Sequence, residues 1–177
     1  MMYLNCSECK VTWIWSTWAK APFMENREVL IASACLPAVN PHLFEELSQG
    51  RVVLLACPER ESSAYYGKLA SMIRSTRPRK IIVVTIDGSP HCFMLQASVN
   101  EAEYILGERV NREHYVVVDG VELKKISPNA IRVARYLNIV SDIVESNPDI
   151  LRKLEKHSRE YKLSLKLNTE STETIRV

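Results

Sequence analysis

Apolar residues fall into short runs closed by polar and turn-forming residues, and three of these runs share one layout. Ile81-Ile82-Val83-Val84-Thr85-Ile86 gives way to Asp87-Gly88-Ser89-Pro90-His91-Cys92, Val29 to Ala34 ends at Cys35-Leu36-Pro37, and Val52 to Ala56 ends at Cys57-Pro58-Glu59. Continuous β-branched runs of this length suit parallel strands covered on both faces. Between them the spacing turns helical. Asn40-Pro41 predicts a cap and a first helical residue, with Leu43, Phe44 and Leu47 on one face and Gly50 as the stop. A second helix runs to about Ser75 with Leu69, Met72 and Ile73 inside, and Pro78 separates it from the next strand. Phe93, Leu95, Gln96, Val99, Ala102, Ile105 and Leu106 set out a third, stopped by Gly107, which places Cys92 at or near a helix N-terminus.

Tyr115 to Leu123 carries Asp119-Gly120, the signal of a two-residue hairpin turn, and predicts an antiparallel pair closing one edge of the sheet. Ser127-Pro128 starts a long helix from Asn129 to about Ser146, and Pro148 begins a last segment near Ile150 to Arg159. Beyond Lys162 the tail is expected to fray or to add an edge strand. The pattern predicts an α/β protein of three layers, Rossmann-like, with a mostly parallel sheet, an antiparallel edge hairpin and an N-terminal C-x-x-C knuckle. Three segments follow: a cysteine knuckle and aromatic lobe over residues 1–27, the α/β domain over 28–160 and a tail over 161–177.

A chain of 177 residues, 46% hydrophobic and 25% charged, has the makeup of an ordinary globular protein. Its net charge of +2 is too small to imply a nucleic-acid partner. The basic stretch Arg74 to Lys80 reads as a solvated helix end. Apolar runs are too short to cross a bilayer, and the start lacks the pattern of a signal peptide. The expectation is a cytoplasmic protein bound neither to membrane nor to nucleic acid.

Five cysteines in such a chain point to metal or redox chemistry rather than to a disulfide framework. Cys6-Ser7-Glu8-Cys9 looks like a tight turn between extended arms, half of a zinc ribbon, and no second C-x-x-C completes it. A site must therefore recruit ligands from far along the chain. Cys6, Cys9, Cys57 and Cys92 form the preferred metal set, because four thiolates suit an iron-sulfur cluster or a tetrahedral zinc. Cys35 can replace either strand-end cysteine or sit nearby as a fifth thiol. His91 either joins a bound cofactor or bonds its own backbone, and Asp87 either meets a ribose hydroxyl or cation or caps the following turn. Trp13, Trp15 and Trp18 either fasten the N-terminal lobe or shield a cofactor. Glu59, Arg60 and Glu61 begin a helix in solvent or handle a polar ligand. His42, His114 and His157 show no metal-like spacing and read as surface or core residues. No Walker loop, G-x-G-x-x-G or G-x-S-x-G occurs.

The C-x-x-C, the cysteine after an apolar strand and the Pro-His loop with a further cysteine opening a helix resemble the iron-sulfur delta subunit associated with methanogen hydrogenases and heterodisulfide reductases. Asp87-Gly88-Ser89-Pro90-His91-Cys92 and the Ser127-Pro128 helix after the hairpin resemble more closely the uncharacterised archaeal Rossmann-like proteins labelled as ferredoxin-type iron-sulfur proteins. The similarity covers roughly Val29 to Ser146, and Asp87-Gly88 stands where the delta subunit has Gly-Cys. The resemblance implies cluster binding and electron transfer in a larger complex, with a redox protein partner or a second copy of the chain. The expected function is cysteine-ligated metal binding, with an iron-sulfur cluster ahead of zinc. A thiol-disulfide oxidoreductase using Cys6 and Cys9, and a zinc-stabilised Rossmann-like ligand- or protein-binding module, are the alternatives. If the protein is an enzyme, it is expected to be an oxidoreductase component.

Overall fold

The computed structural model describes residues 10–174, with side chains described through residue 167. Among the described residues six strands form one sheet: β1 (Lys10–Trp13), β2 (Glu28–Ser33), β3 (Val52–Ala56), β4 (Lys80–Ile86), β5 (Arg112–Val118) and β6 (Glu122–Ile126). Helices α1 (Leu36–Val39) and α2 (Pro41–Ser48) join β2 to β3, α3 (Tyr65–Thr76) joins β3 to β4, and α4 (Pro90–Leu106) joins β4 to β5. After the sheet come α5 (Pro128–Val133), α6 (Leu137–Ser146), α7 (Asp149–His157) and α8 (Arg159–Thr174).

The strand order is β1-β3-β2-β4-β5-β6. All neighbours are parallel except β5 and β6, which pair antiparallel through the Asp119-Gly120 turn. From β2 the chain goes out to β3 on one side and returns to β4 on the other, so the order reverses at the β2/β4 boundary. In open α/β sheets the crevice beyond the carboxyl ends of the strands at such a reversal is where ligands gather.

Alternation along the strands explains the layers. Val29, Ile31, Leu54 and Val83 pack with Leu69 and Met72 of α3 and Leu95 and Val99 of α4, while Leu30, Val53, Ile82 and Val84 pack with Leu36 and Phe44 on the other face. The predicted punctuation is in place. Asn40 Oδ1 accepts from the Leu43 amide at 3.0 Å with Pro41 in the first helical position, and Gly107 ends α4 at φ 68°.

Three expectations are corrected. Cys35-Leu36-Pro37 does not simply run on as loop, because Pro37 sits in the first turn of α1, where a proline costs no hydrogen bond. The long helix after Ser127 breaks, Tyr136 leaving the helical region at φ −109° and ψ 86°. Ile131 is buried whereas Leu137, Ile139 and Ile143 are exposed, so the apolar positions of that run do not serve one face. The tail is helical in α8 rather than frayed or extended. By its contacts the chain divides into two compact units, Met1–Arg132 and Val133–Val177. The unit beginning at Val133 is α-helical, and none of residues 133–167 is buried. Among the described residues no helix is long and apolar enough to cross a membrane.

Candidate functional site

Three loops at the carboxyl edge each carry a cysteine. Cys35 stands at the N-terminal boundary of α1, one residue beyond β2, and is exposed, Cys57 follows β3 and is half-buried, and Cys92 is buried in the first turn of α4. The Cys92 amide donates to Ser89 Oγ at 3.3 Å, so Ser89 rather than Asp87 supplies the cap. Asp87 is exposed, and its amide donates to the Val117 carbonyl at 3.1 Å. The Cys57 carbonyl accepts from the amides of Arg60 and Glu61 at 3.0 and 2.9 Å, a tight turn that holds the start of the β3–α3 loop.

These cysteines share one neighbourhood. The Cys35 thiol is pushed above its ordinary value by burial, then by the thiols of Cys57 and Cys92 and by the Glu59 carboxylate. Without a cationic partner such a thiol stays protonated at neutral pH; a bound metal would deprotonate it. His91 Nδ1 lies 3.7 Å from Glu59 Oε2, so the loops after β3 and β4 meet in front of the sheet. Tyr65 is fully buried and donates to Glu61 Oε2 at 2.8 Å, and burial followed by that carboxylate raises its hydroxyl above the usual phenol range. At the last rung of β2, opposite Ala56, Ser33 is 2% exposed, and its hydroxyl has no partner among the described residues.

The aromatic segment fastens this edge. Trp15 Nε1 donates to the Ser62 carbonyl at 3.0 Å, its ring lies 5.9 Å from that of Tyr65, and the Arg60 guanidinium stands 5.5 Å from the Trp13 ring. Trp13 and Trp15 thus brace the loop that follows Cys57, whereas Trp18 is exposed and the residue buried most deeply in this stretch is Ile14.

Cys6 and Cys9 lie outside the described residues. Lys10, which follows Cys9, stands opposite Val52 at the amino edge of the sheet. Among the described residues, no group of three or more His, Cys, Asp or Glu side chains is gathered closely enough to hold a metal ion. Sequence reasoning missed Ser33 and Ser89, which look like ordinary strand-end and turn residues.

A family model described as a Rossmann-like domain matches residues 21–172. The chain belongs to this Rossmann-like domain family. A relative from Archaeoglobus fulgidus, described as an uncharacterized protein, is 30% identical over 120 residues, which is 66% of this chain and 84% of that one. No solved structure matches significantly. The Rossmann-like region contains Cys35, Cys57 and Cys92 and begins after both the C-x-x-C and β1.

Proposed function

We propose that this Rossmann-like protein binds an iron-sulfur cluster at the β2/β4 reversal and serves in electron transfer, or as an accessory subunit, beside a redox partner. The observation that carries this reading is the shared neighbourhood of Cys35, Cys57 and Cys92 on three adjacent strand-end loops. The donor set is soft sulfur, which selects iron-sulfur clusters and zinc over hard cations. A tetrahedral zinc needs its sulfurs within about 3.8 Å of one another, as follows from the usual Zn–S bond. An iron-sulfur cluster takes the same cysteine thiolates as donors. His91, next to Cys92 and half-exposed, is the nearest further donor in sequence.

The proposed ligands are the strand-end cysteines Cys35, Cys57 and Cys92, whereas Cys6 and Cys9 lie outside the described residues. When bound, a cluster supplies one-electron transfer. The chain's own part is to present the thiolates, Cys92 from the first turn of α4 where backbone amides favour negative charge, and to brace the Cys57 loop with Trp13 and Trp15.

Full-length protein purified without oxygen, or reconstituted with iron and sulfide, should contain both elements and show visible charge-transfer absorption. Cys35→Ser, Cys57→Ser and Cys92→Ser should each lower that absorption sharply, and the double variant Cys6→Ser/Cys9→Ser should retain it. Colourless protein after reconstitution overturns the reading, and stoichiometric zinc in its place identifies the zinc-stabilised alternative.

A further inference from the structure

A second site lies at the amino edge of the sheet, away from the cysteines. Arg112 opens β5 beside Ile81, and its side chain is only 7% exposed. Each of its three nitrogens is engaged. Nε and Nη2 reach Asn100 Oδ1 at 3.1 and 2.8 Å, Nε also faces His114 Nε2 at 3.1 Å, and Nη1 pairs with Glu103 Oε1. The other Glu103 oxygen accepts from Arg132 Nη2 at 3.1 Å, and Arg132 Nη1 donates to Asn129 Oδ1 at 2.9 Å. Arg109 is exposed and makes no hydrogen bond or ion pair among the described residues.

Glu103, Arg109, Arg112, Asn129 and Arg132 line a cleft of about 330 Å³, together with Ser127 and Val110. That volume falls at the lower end of the range for small-molecule sites, roughly 300–1,000 Å³. Three guanidinium groups face one carboxylate there. Glu103 neutralises Arg112, and two positive charges remain uncompensated at the mouth. The free donors are the whole Arg109 fork, the three remaining N–H groups of Arg132 and the Asn129 side-chain amide, a forked and planar set that fits tetrahedral oxyanions. We infer that this cleft binds the phosphate group of a small phosphorylated molecule, with Arg109 and Arg132 on the oxygens and Arg112 and Glu103 as the rigid floor. The surplus charge matches a dianion, and the volume leaves room for an organic body beside it.

Inorganic phosphate is the probe, titrated calorimetrically into the full chain against chloride at constant ionic strength. Saturable binding is expected, with a shift of the Asn129 side-chain amide resonance on titration. Arg109→Ala should weaken binding about tenfold or more through loss of charge-assisted hydrogen bonds. Lys20→Ala, which removes an equal charge at an exposed position elsewhere, should leave it unchanged. Because Arg109 supports no other residue, its variant should melt in chloride as the parent does. Absence of saturable phosphate binding overturns the inference, as does equal affinity in the parent and Arg109→Ala.

Discussion

Beneath α4 a neutral histidine is held between an arginine and a glutamine. His114 is fully buried, and a ring nitrogen that faces a guanidinium N–H must accept, so the proton sits on Nδ1 and is donated to Gln96 Oε1 at 2.6 Å. That fixes the Gln96 amide, whose Nε2 donates to Thr85 Oγ1 at 2.9 Å and to the Tyr115 carbonyl at 2.8 Å. Burial first, and the Arg112 charge second, push the imidazole down to about 4. In the unfolded chain it titrates near 6.5. Between those values the unfolded state binds the proton and the folded state does not. Stability is therefore complete above pH 6.5 and declines as pH falls toward 4, by about 3 kcal/mol in all. Urea midpoints measured from pH 7 to 4.5 should fall accordingly, and His114→Gln should flatten the profile; a flat parent profile would contradict the assignment. Gln96→Leu strands the imidazole N–H and removes the donor from Thr85 and Tyr115, at a cost of about 2–4 kcal/mol measurable by urea unfolding. Helical spacing already put Gln96 on the inner face of α4, but its partners are set by the pairing of β5 with β4, which no local pattern contains.

At the scale of elements, the joint between α1 and α2 meets the tip of the β5–β6 hairpin. Asn40 caps α2 through Oδ1, while its Nδ2 donates to the Gly120 carbonyl at 3.2 Å. Gly120 stands at φ 78° after Asp119 at φ 50°, and an added Cβ would lie 3.1 Å from Val39 Cγ1. Asn40→Asp keeps the cap and loses the hairpin bond, whereas Asn40→Ala loses both. The first should cost about 1 kcal/mol and the second about 2 kcal/mol in thermal or urea unfolding. Equal losses would show that only the hairpin bond matters, and no loss in Asn40→Asp would show that only the cap does. The cap, the glycine stops, the hairpin turn and the three strand runs were legible because each is a local preference acting over a few residues. The break at Tyr136 and the helical tail were not. Leu137, Ile139 and Ile143 continue a helical spacing after Ile131, yet they belong to another unit, and periodicity cannot report which surface an apolar stripe serves.

Across the whole chain, strand order is what turns a list of cysteines into a candidate site, and strand order depends on contacts distant in sequence. The three strand-end cysteines were legible as residues on one rim. That Cys35 belongs among them follows from β2 lying between β3 and β4, and that Lys10 enters at the far edge follows from β1 pairing parallel to β3. The same long-range view divides the chain at Arg132/Val133, each side being a compact unit by itself. The sheet, both of its apolar layers and the Cys35, Cys57 and Cys92 loops all fall before that division. A chain ended after Tyr136 should therefore unfold in urea as a single cooperative transition with a midpoint close to that of the full chain. It should also bind as much iron and sulfide per chain on reconstitution, since none of the three proposed ligands is removed. Loss of cooperative unfolding would mean that the helices after Val133 are needed to hold the sheet together. Retained folding with lost iron would instead place a ligand beyond residue 136, where His157 is the remaining imidazole.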